Sequence, residues 1–162
     1  CMLVGAMNPC PCGFRGYPEA KCVGASLCER YAGRLSGPLL DRIDLHLTVP
    51  RLSPETLTDE PPGEPSAAIR ERVAAARDRQ YARLGPGRTN AQMAPKELRE
   101  FATLGEPESE FMKKAAARLN LSARAFDRIL KVGLTLADLG AKDAIEVAHL
   151  AEAVQYRATH DA

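Results

Sequence analysis

The sequence predicts an α+β chain that is mainly α, in which the end of an α/β core is followed by a helical bundle. Three observations predict it. Two apolar runs with strand character both fall within the first 50 residues. A Pro-rich stretch then breaks all periodicity. Beyond it, apolar residues recur at helical spacing almost to the end. Hydrophobic residues make up 45% of the 162, enough to bury a core. Aromatics are only 5% and Trp is absent, so that core is built from Leu, Ala, Val and Ile.

The elements follow in order. Cys1-Met-Leu-Val-Gly-Ala-Met7 is a continuous apolar run and reads as a buried strand. Its position at the start, with no Met first, suggests a piece of a longer protein. Glu29 to Leu35 is expected to be a short helix, stopped by Ser36-Gly37-Pro38. Ile43-Asp-Leu-His-Leu-Thr-Val49 alternates with period two, as a half-buried strand does. Residues 51 to 65 hold four Pro, one Gly and several acids, which makes a linker. From residue 66 to 162 the pattern is helical. Ser66 caps a helix that turns Ile69, Val73, Ala76 and Leu84 inward. Pro95 opens a short helix with Leu98 and Phe101 on one face, and Pro107 opens another with Phe111, Ala115 and Leu119 inward. Ser122 caps a longer helix that buries Phe126, Ile129, Leu130 and Leu134 and ends near Gly140. A last helix runs through Val147, Leu150, Val154 and Tyr156.

Composition narrows the function. The net charge of +1 predicts no global attraction to nucleic acid, although a local patch remains open. The run at residues 1–7 is too short for a membrane span and lacks a basic leader, and no later stretch approaches about 18 apolar residues. A soluble, cytoplasmic protein without a membrane partner is expected. Five cysteines, four of them between residues 10 and 28, form an odd count in one cluster, which argues against a disulfide scaffold.

Four groups of residues can carry chemistry. Asn8 ends the first apolar run, where open α/β sheets place ligands, and its carboxamide can bond a water or a phosphate oxygen. The same Asn-Pro pair also starts turns. Ser36-Gly-Pro-Leu-Leu-Asp-Arg42-Ile-Asp44 sets an Arg behind a packed Leu pair, projecting a guanidinium suited to phosphate oxygens. The alternative is an ion pair with Asp41 or Asp44. Arg124 sits in the first turn of a capped helix, where the free N–H groups already favour anions, with Arg128 and Lys131 nearby on the helix. A solvated basic face is the alternative. Cys10, Cys12, Cys22 and Cys28 can hold a structural zinc ion, unless Cys28 faces the interior of its helix. Arg70, Arg72, Arg77, Arg79, Arg83 and Arg88 form either a nucleic-acid contact or an ordinary charged surface.

Absences matter as much. The phosphate-loop pattern G-x-x-x-x-G-K-[ST] does not occur, nor does an apolar strand ending in consecutive acids that could hold magnesium. His46, His149 and His160 are scattered, and no Ser-His-Asp set, carboxylate pair or dinucleotide Gly motif is present. Taken by itself, the chain is expected not to hydrolyse a nucleotide.

Several segments, taken in chain order, resemble the magnesium-chelatase-related AAA+ ATPases of the YifB/ComM type. They are Ala6-Met-Asn-Pro-Cys-Pro-Cys-Gly13, Ser36-Gly-Pro-Leu-Leu-Asp-Arg-Ile-Asp-Leu45, Asn90-Ala-Gln-Met93, Lys96-Glu-Leu-Arg-Glu-Phe101, Ser122-Ala-Arg-Ala-Phe-Asp-Arg-Ile-Leu-Lys-Val132 and His149-Leu-Ala-Glu-Ala-Val-Gln-Tyr-Arg157. The resemblance runs nearly end to end but covers only the C-terminal part of that family's ATPase. It implies the end of an AAA+ core with a cysteine-bearing insertion over 1–50, a linker over 51–65 and a helical lid over 66–162. It implies that Asn8 is the sensor-1 residue positioning the attacking water. Arg42 would be the arginine finger acting on ATP held by the next subunit, and Arg124 the sensor-2 residue reaching the phosphates. ATP and magnesium are the implied cofactors of the full-length protein, with a hexameric ring of identical subunits as its assembly. Branched DNA is the implied substrate, through branch migration during natural transformation. A chelatase-type motor that remodels a metal-inserting partner, and a zinc-stapled interaction module, are the alternatives. The sequence departs from the family in its second cysteine pair, Cys22 and Cys28, and in Gly133-Leu134, where Ala-Arg is common. A Gly there costs a helix about 1 kcal/mol relative to Ala.

Overall fold

The structure, a computed structural model, describes residues 2–14, 22, 24–40, 42–50, 52 and 63–157. The chain divides into two compact units, Cys1–Ile43 and Asp44–Ala162. The described residues are helical or irregular, and none of them is in a β-strand.

In the first unit, helix α1 spans Ala25–Ala32 and helix α2 spans Gly37–Leu40. The short helix therefore starts earlier than the expected Glu29 and stops earlier than Leu35. Gly33 caps it by donating to Glu29 O at 2.8 Å, and two further turns, Arg34 N to Tyr31 O and Leu35 N to Ala32 O, carry the chain to Ser36. The buried strand expected over residues 1–7 is not found. Met2, Leu3 and Val4 are 80% exposed or more, and residues 2–7 are in neither helix nor strand. A strand is stable only when a neighbour takes its N–H and C=O groups, and no described segment does so. The same correction applies to Ile43–Val49, whose Leu47 and Val49 face solvent. Most of the linker expected over 51–65 lies outside the described residues, as do Cys1, Asp41 and His160.

The second unit is a bundle. Its helices are α3 (Ser66–Leu84), α4 (Pro95–Phe101), α5 (Glu106–Arg118), α6 (Ala123–Leu139) and α7 (Val147–Gln155), with a 3-10 turn at Asn90–Gln92. Helix α6 is the centre: α3, the 3-10 turn, α4 and α7 all pack on it, and α5 packs on α7. Its sequence explains that position. Ser122 Oγ accepts from Ala125 N at 3.1 Å, and an uninterrupted apolar stripe buries Ile129, Leu130 and Leu134. Met112, Ile129, Leu134 and Leu150 are almost wholly buried, each contributing roughly 1.5–3 kcal/mol by transfer from water.

Two details differ from expectation. Ile69 and Val73 on α3 are about 40% exposed, while Ala76, Gln80 and Leu84 are buried. Only the C-terminal half of α3 packs, so its apolar residues near the start have no cover among the described elements. Gly133 also proves to have a packing role: a Cβ there would lie 3.1 Å from Leu150 Cδ2 and 3.7 Å from Ile145 Cγ2. The missing side chain lets α7 approach α6 closely. No described helix is long and apolar enough to cross a membrane.

Candidate functional site

Asn8, Arg42 and the cysteines belong to the first unit, and Arg124 to the second. Asn8 is exposed, just before a bend at Pro9 and Cys10 that leads into the cysteine turn, rather than at the end of a strand. Arg42 is exposed in the turn after α2, its backbone N–H donating to Leu39 O at 3.0 Å. Of the Leu pair before it, Leu39 is 42% exposed and Leu40 is half-buried. Asp44, one of the two acids expected to neutralise Arg42, pairs with Arg128.

The four cysteines come together. Cys10 Sγ lies 3.2 Å from Cys12 Sγ, Cys12 Sγ 3.6 Å from Cys22 Sγ, and Cys22 Sγ 3.2 Å from Cys28 Sγ. The sulfurs of Cys10, Cys22 and Cys28 all fall within 4.8 Å of one another. A turn closed by Gly13 N donating to Cys10 O, with Gly13 at φ +78, folds the first pair back on itself. Cys28 faces the cluster from α1, which settles the alternative that it points elsewhere. Electrostatics within the group are uneven. The Cys22 thiol is held below its ordinary value, first by the backbone N–H of Gly24 and then by the Cys28 thiol, whereas Cys28 is pushed up to about 12 by its bond to Cys22 and by burial. Cys10 and Cys28 are the only buried residues among those described in the first unit. For sulfurs 2.3 Å from a tetrahedral zinc ion the mutual spacing is about 3.8 Å. The neighbouring sulfurs stand at 3.2–3.6 Å, closer together than that, and the three-donor group is Cys10, Cys22 and Cys28.

Arg124 stands in the first turn of α6, exposed and without an ion pair or side-chain hydrogen bond to any described residue. It lines an open cleft of about 190 Å³ with Asp127, Arg128 and Lys131 of the same helix, and with Met93, Pro95 and Leu98 opposite. The three cations differ in their commitments. Arg128 pairs with Asp44. Lys131 Nζ donates to Ala91 O at 3.1 Å and Met93 O at 2.8 Å, which pins the 3-10 turn to α6. Arg124 alone of the three lacks such a partner among the described residues, and the free N–H groups of the helix start lie beside it.

Much of the arginine-rich stretch over α3 and the turn after it is committed to ion pairs. Arg72 pairs with Glu64, Arg79 with Asp143, Arg83 with Asp138 and Arg88 with Glu97. The sequence reading missed the network that receives Arg83. Asp138, 2% exposed, accepts from Arg83 Nη2 at 2.7 Å and from Asn90 Nδ2 at 2.8 Å. Asn90 also bonds Thr135 Oγ1 and takes Gln80 Oε1 on its backbone N–H. One signal was available: Asp138 lies four residues after Leu134 and eight after Leu130, on the apolar stripe itself.

With this geometry in view, the similarities to known proteins become informative. The profile described as the C-terminal part of magnesium chelatase subunit ChlI matches residues 63–157, more than half of the chain, and the profile described as magnesium chelatase subunit ChlI matches residues 1–57. The chain belongs to the magnesium-chelatase-related family. Its relatives within that family include YifB of Escherichia coli, described as uncharacterized, at 42% identity over 157 residues. The competence protein ComM of Haemophilus influenzae is also 42% identical over 157 residues. Rv2897c of Mycobacterium tuberculosis, described as uncharacterized, is 36% identical over 159 residues. These matches cover 96–97% of this chain but only 30–31% of each relative, so the chain spans about a third of their length.

Proposed function

We propose that this chain is the sensor-and-lid portion of an AAA+ ATPase motor that drives branch migration of DNA during natural transformation. In this reading residues 1–50 end the ATPase core, 51–65 link, and 66–162 form the lid. Asn8 orients the attacking water and Arg42 reaches ATP on the neighbouring subunit of a hexameric ring. Arg124 contacts the terminal phosphates from the lid. Magnesium accompanies the nucleotide and is held by residues elsewhere in the protein. The observation that carries the reading is the state of Arg124: exposed, unpaired among the described residues, on the wall of a cleft and at a helix start. A cation so placed is energetically odd unless an anion visits it. The competence protein among its relatives supports the DNA assignment over the chelatase alternative.

The test is ATP turnover by the whole protein. Arg42→Ala is expected to lower it by about a thousandfold, the usual worth of an arginine finger, and Arg124→Ala to lower it substantially as well. Turnover unchanged in both variants would overturn the assignment. Four-way DNA junctions should bind with affinity that falls steeply with salt, and absence of binding at low salt would favour the partner-remodelling chelatase reading.

A second reading concerns the cysteines, on the observation that four thiols from two segments meet at 3.2–3.6 Å. Cys10, Cys12, Cys22 and Cys28 would hold one structural zinc ion per chain as thiolates. Elemental analysis of the purified protein should find it, and the variant Cys22→Ser with Cys28→Ser should lack it. Metal-free protein from zinc-replete cells would count against this.

A further inference from the structure

Arg128 is claimed from two sides. Its guanidinium pairs with the carboxylate of Asp44, and the same side chain lines the cleft one turn along from Arg124. Asp44 is half exposed, so the pair is accessible to solvent and to solutes. Two residues further on, His46 N donates to Tyr156 O at 2.8 Å, tying the same stretch to the end of α7. The stretch beginning at Asp44 is thus held against the bundle by a backbone bond at one point and a charge pair at another.

We propose that Asp44 is a latch on Arg128, opened by a polyphosphate ligand entering the cleft. The carboxylate and the phosphate oxygens compete for one guanidinium. An exposed Arg–carboxylate pair strengthens association by a factor of only about two to five. A polyphosphate offers several anionic oxygens to Arg124 and Arg128 together, and a planar guanidinium donates to such oxygens two at a time. Occupancy of the cleft therefore outbids Asp44 and frees the stretch that follows it. The inference rests on the nucleotide reading of the cleft and adds to it the release of the stretch that begins at Asp44.

The experiment is calorimetric titration of the chain with inorganic tripolyphosphate, with circular dichroism confirming that each variant is folded. Asp44→Asn removes the competitor and should tighten binding two- to fivefold, while Arg124→Ala weakens it. In an Arg128→Gln background, Asp44→Asn should have no further effect. Amide exchange at His46 should also rise on adding tripolyphosphate to the unaltered chain. If Asp44→Asn tightens binding equally with Arg128→Gln present, Asp44 acts by simple charge repulsion and the latch is wrong. If the chain binds in an Arg124-dependent way but Asp44→Asn changes nothing, the latch is wrong and the nucleotide reading stands. If neither the unaltered chain nor Asp44→Asn binds tripolyphosphate, both are wrong.

Discussion

Asp138 is where the polar interior of the second unit converges. Its side chain is fully buried, and its charge is compensated by Arg83 in a bidentate contact and by the Asn90 amide. Replacing it by Ala leaves Arg83 and Asn90 facing each other without their shared acceptor. Removing one partner of a buried pair usually costs about 3–5 kcal/mol. Arg83 keeps some access to water, so about 3 kcal/mol is expected for Asp138→Ala, read from urea or thermal denaturation. A loss below about 1 kcal/mol would mean that the network relaxes freely. Arg124 illustrates the opposite case. Its place at a helix start was legible from Ser122 and the apolar spacing, because capping is a local property. Whether its neighbours were equally available was not legible: Lys131 is occupied by two carbonyls that lie about 40 residues away in sequence.

At the scale of elements, the Pro95, Pro107 and Ser122 beginnings were read well, whereas Ser66, expected as a cap, is the first residue of α3 and Pro65 precedes it without a side-chain cap bond; helix faces were read less well. The Pro95 and Ser122 starts depend on nearby residues alone. Glu97 shows how such a start is stabilised. It reaches back to Ala94 N at 2.7 Å and accepts both Nη atoms of Arg88. Arg88 chiefly, with the Ala94 N–H second, holds its carboxyl at about 2, well below the ordinary 4.5. A depressed carboxyl contributes stability that is complete above about pH 4.5 and is lost as pH falls toward 2. The unfolding temperature of the unaltered chain should therefore exceed that of Glu97→Gln at pH 6, with the gap closing between pH 4.5 and 2. A gap that does not shrink with acid would remove Glu97 from the helix start. At the other end of α6, Gly140 was expected to terminate the helix. It is the cap, at φ −83, but the left-handed residue is Ala141, at φ 54, where Lys142 N closes onto Ala137 O at 2.8 Å. Local sequence marked the stop at Gly140, and the left-handed turn that follows it is made by Ala141.

At the scale of the molecule, the two units have different sources of order. The second has an apolar core running through Leu98, Met112, Ile129, Leu134 and Leu150. The first buries only Cys10 and Cys28 among its described residues, and too little apolar surface leaves the water there to stabilise it. If zinc holds the cysteines, a strong chelator should abolish the ordered signal of the first unit and leave the helical content and cooperative melting of the second intact. Simultaneous loss of both would mean that the cysteine cluster is not a separate source of order. The exposed apolar residues of 2–4 and 45–49 are the places where strand patterning was present without a partner. Period and composition specify which residues favour an extended chain, whereas pairing requires a second strand.

The sequence by itself determined the succession of helices after residue 65, the Ser122 cap and the stripe that makes α6 central, since each depends on neighbours within a few positions. It also determined family membership, through motifs spread along the whole chain. Only the tertiary structure decided that four thiols meet, that Asp44 turns to Arg128, that Asp138 is buried with Arg83 and Asn90, and that Gly133 admits Leu150. Those facts join residues up to 84 positions apart, and contact at such separation is set by how elements pack.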